Sequence, residues 1–206
     1  VRRQRQMCIR DSRYPLSKPV ITSFGVMDNR PMLILKITDN NGMYGWGEVW
    51  CNFPLTGAEH RAKLIDNVFK PLLANFDIIT PEKTYEYLVS KTKILSIQSG
   101  EPGPIAQCIA GIDIAIHDLI GKVENISLWK KFGGNKNIIP CYASGINPTK
   151  PEVTVKDAIK KGYSSFKLKI GFGLKKDLGN IKEIKNILPE KSSLMVDANQ
   201  AWNLHE

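Results

Sequence analysis

Between residues 138 and 198 the chain alternates short apolar runs with helical ones, and this alternation restricts its possible folds more than any other feature. Residues 138–144 (IIPCYAS), 164–170 (SSFKLKI) and 193–198 (SLMVDA) read as strands. Between them, residues 152–161, closed by Gly162, and residues 174–188 read as helices. Strands separated by helices pair in parallel through right-handed crossovers. Such a series opens either a doubly wound sheet or a barrel, and spacing alone does not choose between them. The sequence stops at Glu206, shortly after the third strand. An uncovered parallel edge is a poor place for a chain to end, so a longer parent protein is expected.

The first half follows a different grammar. Residues 32–39 (MLILKITD) are rich in strand formers, and Asn40-Asn41-Gly42 is a turn that favours positive φ. Residues 43–51 (MYGWGEVWC) then return as a second strand, and residues 20–26 could pair beside this hairpin. Residues 58–73 carry apolar side chains at helical spacing. Thr80 can cap a helix that begins at Pro81 and runs to about residue 95. After a loop at 98–103, Pro104 opens a long apolar helix, and residues 128–132 form a short one ended by Gly133-Gly134.

Composition bounds the function. The chain is 42% hydrophobic and 24% charged, which is ordinary for a globular protein. No apolar run approaches the roughly 18 residues of a membrane span, and no secretory leader is visible, so no membrane partner is expected. Cys8, Cys51, Cys108 and Cys141 lack paired spacing, which suggests neither zinc nor a disulfide framework and fits a cytoplasmic setting. The formal charge of +9 would suit nucleic acid, but residues 2–12 hold a net +3 of it. That stretch, RRQRQMCIRDS, resembles a translated sequencing adapter. Residues 1–12 are therefore expected to be a disordered artefact outside the fold, and no nucleic-acid partner is expected.

Two features of the second half can carry chemistry. Lys167 and Lys169 flank Leu168, so a strand places both ammonium groups on one face, with Phe166, Leu168 and Ile170 turned toward the helices. Two lysines facing a barrel interior need an anionic partner. Each disfavours the other's charge, which would lower the pKa of at least one and suit it to act as a general base. The alternative is a solvated edge strand. The second feature is Asp197-Ala198-Asn199 at the end of an apolar strand, where barrels carry their active sites. Asp197 could hold Mg²⁺, which takes oxygen donors, or could form an Asx turn or helix cap.

Together these features resemble the enolase superfamily, and most closely its mandelate racemase and muconate lactonizing enzyme branch. Residues 42–49 (GMYGWGEV) resemble the family's second capping-domain strand and residues 111–122 (GIDIAIHDLIGK) its long helix before the barrel. Phe132-Gly133-Gly134 resembles the lead into the barrel. Residues 166–173 (FKLKIGFG) and 195–202 (MVDANQAW) resemble the strands that carry the first base and the first metal ligand. The resemblance implies an α+β capping domain over residues 13–135, followed at 136–206 by the first part of a truncated α/β (TIM-type) barrel. It implies that Lys169 removes the proton α to a substrate carboxylate and that Lys167 tunes it. It also implies that Asp197 is the first of three acidic Mg²⁺ ligands and that Asn199 is an accessory polar group. Trp50, Asn52 and Phe53, in the loop after the hairpin, are the candidates for shaping the substrate pocket, and residues 17–29 are a second candidate flap.

The same resemblance places the second and third metal ligands, and the opposing acid–base group, beyond residue 206. The reaction class is thus a racemase, cycloisomerase or acid-sugar dehydratase, with the 206-residue piece itself inactive. The expected partner is a small carboxylate, with a hydroxy or sugar acid favoured by the KIGFG run, and the parent is expected to be a homo-oligomer by analogy. Two alternatives stand beside this reading: a barrel enzyme in which Lys167 or Lys169 forms a Schiff base, and a non-catalytic remnant of the fold. His60 and His117 read as surface or packing residues, and His205 lies too near the end of the chain to assign.

Overall fold

The computed structural model describes residues 4–22, 25–74, 76–77 and 80–205. It divides into two compact units, Val1–Leu16 with Asn29–Asn135, and Ser17–Asp28 with Lys136–Glu206.

A sheet of order β1-β2-β3 is built from Gln4–Thr22, Gly25–Asp39 and Tyr44–Val49. β2 and β3 form the hairpin read from the sequence, antiparallel, with Leu33 opposite Val49 and Ile37 opposite Gly45. Asp39 organises the turn: its Oδ1 accepts the N–H groups of Asn41 and Met43, each at 2.9 Å. Gly42 completes it at φ +83°. Alternation along β2 buries Leu33, Leu35 and Ile37 completely, each contributing roughly 1.5–3 kcal/mol of apolar burial.

The setting aside of residues 1–12 is corrected by β1. From Gln4 onward that segment is strand, and Met7 is only 3% exposed in the core. The physical reason is the ladder edge of β2 away from β3, which any extended segment with an inward apolar side chain can satisfy. Residues 1–3 lie outside the described residues. Further along β1, Arg13 pairs with Glu59 at 2.6 Å.

The helices pack on this sheet. Residues 58–73, read as one helix, follow α1 (Gly57–Leu64), a π-helical turn (Ile65–Phe69) and α2 (Lys70–Ala74). Ile65, Phe69 and Leu73 form its buried stripe. Thr80 caps α3 (Pro81–Ser99) by accepting the Lys83 N–H at 3.2 Å, and Gly100 ends it at φ +66°, later than expected. The central helix α4 spans Pro102–Glu124 and α5 spans Leu128–Lys131.

Contrary to the reading that no apolar run approaches the length of a membrane span, α4 is long and apolar enough by length and composition alone. Its apolar character has a local cause. Cys108, Ile112, Ala115 and Ile116 are buried within the unit, and the helix packs against both β3 and α3. The approach to β3 is backbone on backbone. A Cβ at Gly47 would lie 1.9 Å from the Gly111 carbonyl oxygen, and one at Gly45 would lie 2.0 Å from that of Ala115.

The second unit contains a parallel sheet of order β4-β5-β6, made of Ala143–Ile146, Ser165–Lys169 and Ser193–Asp197. Its crossovers are α6 (Pro151–Lys160) and α7 (Leu174–Ile187). Phe166, Leu168 and Ile170 meet Val155, Ala158 and Ile184 in one core. β4 begins five residues later than expected, and Ile138 and Ile139 stand exposed. Pro140, which has no N–H for a ladder, separates them from the strand.

Two outcomes test these contacts. Gly47→Ala should destabilise the chain by about 3 kcal/mol in urea unfolding, because neither backbone can yield. The second concerns Glu59, whose pKa is held below its ordinary 4.5 mainly by the hydrogen bond from Arg13. A depressed carboxyl stabilises above its unfolded pKa and ceases to as pH falls through the folded value. Wild type should therefore exceed Glu59→Gln in stability at pH 7, and the difference should vanish in acid.

Candidate active site

The site begins with the pleat of β5. Burying Phe166 and Leu168 against the helices obliges Lys167 and Lys169 to share the opposite face. The β5–β6 register then sets Lys169 opposite Asp197, with the backbone N–H of Ile170 donating to the Asp197 carbonyl at 3.0 Å.

Lys169 Nζ donates to Asp197 Oδ2 at 2.7 Å and to Asn199 Oδ1 at 3.0 Å. The other carboxylate oxygen, Oδ1, accepts the Asn199 N–H at 3.0 Å. Asp197 therefore forms the Asx turn with one oxygen and an ion pair with the other. Asn199 and Gln200 follow at φ +48° and +64°, a left-handed pair that asparagine tolerates better than most residues. Lys167 Nζ stands 3.7 Å from Asp197 Oδ2 and donates to the Tyr142 hydroxyl at 2.9 Å. Both lysine side chains are about one-quarter exposed, so β5 is not a fully solvated edge.

The electrostatics follow from these contacts. The hydrogen bond from Lys169, then that from the Asn199 N–H, holds the Asp197 carboxyl below the usual carboxylate range. Mutual repulsion of the lysines is expected to lower the pKa of at least one of them; that of Lys167 is raised. The Tyr142 hydroxyl, which accepts its hydrogen bond, is the largest cause, and the Asp197 carboxylate adds to it.

Two residues here were not singled out from the sequence. Tyr142 lay inside an expected strand without a partner to mark it. Asp177 is a buried carboxylate in the first turn of α7 that accepts the Gly171 N–H at 2.9 Å and the Phe172 N–H at 3.2 Å. It thereby pins the loop that follows Lys169, and its place in the first turn of α7, four residues after Gly173, was the available signal.

Trp50, Asn52 and Phe53 belong to the first unit, in the loop between β3 and α1, whereas Lys167, Lys169, Asp197 and Asn199 belong to the second. Of the flap candidate 17–29, Ser17–Asp28 groups with the second unit and Asn29 with the first. His60 pairs with Glu101 at 3.1 Å and His117 packs its ring on Phe132. Among the described residues, no three His, Cys, Asp or Glu side chains gather as a metal site. Asp177→Ala should cost about 2–3 kcal/mol, because two backbone N–H groups lose their acceptor, and should speed hydrogen exchange at residues 171–173.

Comparison with known proteins identifies the family. Residues 4–133 match the mandelate racemase / muconate lactonizing enzyme N-terminal domain. Among curated relatives, the N-succinyl-L-Arg/Lys racemase of Bacillus cereus is 27% identical, over 92% of this chain and 50% of its own length. The 3,6-anhydro-alpha-L-galactonate cycloisomerase of Streptomyces coelicolor is 28% identical over 89% and 50%. The arabinonate dehydratase of Saccharolobus solfataricus is 26% identical over 88% and 52%. A solved mandelate racemase/muconate lactonizing enzyme from Bordetella bronchiseptica RB50 superposes with TM-score 0.88 at 41% identity, over 99% of this chain and 53% of its own. A racemase from Streptomyces coelicolor A3(2) with bound magnesium does so with TM-score 0.85 at 27% identity, over 97% and 56%. The chain spans about half the length of the curated relatives it matches. With an α+β capping domain followed by the opening parallel strands of an α/β barrel, it belongs to the mandelate racemase/muconate lactonizing enzyme branch of the enolase superfamily.

Proposed function

We propose that the intact protein carrying this chain is a magnesium-dependent isomerase or lyase that removes the proton α to a substrate carboxylate. The observation that carries the reading is the 2.7 Å contact between Lys169 Nζ and Asp197 Oδ2 at adjacent strand ends. Such a contact sets a potential base beside a potential metal ligand. The racemase, cycloisomerase and dehydratase among its relatives support the reaction class.

In this reading Lys169 takes the α-proton. The Lys167 ammonium, held by Tyr142, supplies positive charge beside the substrate carboxylate. The donor set suits magnesium in kind, since Asp197 and Asn199 both present hard oxygens. Asp197 would supply one ligand and Asn199 an accessory oxygen, and the remaining ligands would come from later strands. When bound, the metal would offset the charge that builds up on the substrate carboxylate as the proton leaves. Because one carboxylate and one amide hold magnesium weakly, residues 1–206 alone are proposed to be inactive. Trp50, Asn52 and Phe53 would shape the pocket from the capping domain. Among carboxylates we favour a hydroxy or sugar acid, supported by the KIGFG run and by the two relatives named for galactonate and arabinonate. The cysteines Cys51, Cys108 and Cys141 are free, in keeping with a cytoplasmic setting.

The test is exchange of the substrate α-proton in D₂O, followed by NMR on the intact protein with a panel of hydroxy and sugar acids. Lys169→Met should slow exchange at least ~10²-fold, in the range of a lost general base. Asp197→Asn and chelation of magnesium should also suppress it. If borohydride traps substrate on Lys167 or Lys169 instead, the Schiff-base mechanism replaces this one.

A further inference from the structure

The loop 50–56 between β3 and α1 is irregular, yet two arginines hold its backbone. Arg61, four residues into α1 from Gly57, is buried at 3% exposure. Its Nη2 donates to the Phe53 carbonyl at 3.2 Å and to Gln107 Oε1 at 2.9 Å, and its Nε donates to the same Gln107 oxygen at 3.0 Å. Nη1 lies 3.4 Å from His60 Nδ1. Arg13 reaches the loop at a second point, donating to the Leu55 carbonyl while it pairs with Glu59. Gly57 makes room for this arrangement. A Cβ there would stand 2.6 Å from the Cys51 carbonyl oxygen and 3.4 Å from Arg61 Nη1.

Arg61 is costly for what it contributes to stability. Among the described residues its acceptors are neutral: a main-chain carbonyl, an amide oxygen and an imidazole nitrogen. A buried cation without a counter-charge loses hydration that such acceptors only partly restore, and an apolar side chain of similar length often does as well or better. What the guanidinium adds is geometry, because its rigid fork meets Phe53 and Gln107 at once. The contacts end on the backbone of the loop that carries Asn52 and Phe53, and they lie wholly within the first unit.

We propose that Arg61 is a positioning residue: it clamps loop 50–56 and through it sets how tightly the enzyme holds its substrate. This rests on the reading that Asn52 and Phe53 shape the pocket. The clamp itself is tested in this chain by hydrogen exchange, and its consequence by kinetics of the intact enzyme. Arg61→Met should speed exchange in the peptide spanning residues 50–57 at least tenfold with the urea midpoint unchanged or higher. Arg61→Lys, which can reach only one acceptor at a time, should fall between the two. In the intact enzyme Arg61→Met should raise KM at least tenfold and leave kcat within threefold. Should Arg61→Met not fold, Gln107→Leu removes the shared acceptor from α4 and should give the same changes at smaller size. Unchanged exchange in the loop overturns the clamp. Faster exchange with KM unchanged, or with kcat falling as far as KM rises, overturns the role in substrate binding. A wild-type enzyme that exchanges no α-proton overturns the proposed reaction instead, and the exchange experiment still decides the clamp.

Discussion

The candidate site depends on the register between β5 and β6. Phe166 and Leu168 must be buried against α6 and α7, and a strand offers only two faces. Turning these residues inward fixes Lys167 and Lys169 on the other face. With Leu168 opposite Val196, Lys169 falls opposite Asp197. A slip of one residue would put the lysines into the apolar layer and the apolar side chains where the ion pair now stands. The packing of the core and the placement of the chemistry are therefore one constraint, and neither can change alone.

The first unit is governed by a different kind of contact. β3 presents Gly45 and Gly47 to α4, and at those points the helix and strand backbones approach too closely to admit a methyl group. That approach aligns α4 along the hairpin and lets its apolar face complete the core with Leu33, Leu35 and Ile37. Beside it, Trp46 N–H donates to Asp118 Oδ2, which occupies a ladder group on β3 that the hairpin does not use. The same helix supplies Gln107 to the Arg61 network. A single element thus sets both the core of the unit and the backbone of the loop after β3.

Much of this was legible from local pattern. The β2–β3 hairpin followed from alternation and the Asn40-Asn41-Gly42 turn, and the Thr80 cap from its place before Pro81. The crossover units followed from the change in apolar period. Misreadings occurred where nonlocal partners decide. Residues 4–12 have little strand pattern, yet the open edge of β2 takes them up in β1. Residues 138–144 look like strand by composition, yet Pro140 delays pairing until Ala143. The raised pKa of Lys167 could not be read from KLK, because its cause is Tyr142, 25 residues away. Asp177 gave only a capping-type signal, and Arg61 gave none.

By itself, the sequence determined which residues could share a face, where strands and helices alternate, and that two lysines and an aspartate lie on successive strand ends. These are consequences of a period of two or 3.6 residues and of turn chemistry, both local. Only the tertiary structure decided that Lys169 pairs with Asp197 and Asn199, that Lys167 leans on Tyr142, and that Arg61 is buried beneath the loop after β3. Hydrogen bonds and desolvation depend on distances of a few ångströms between residues far apart in the chain, and no local pattern encodes those distances.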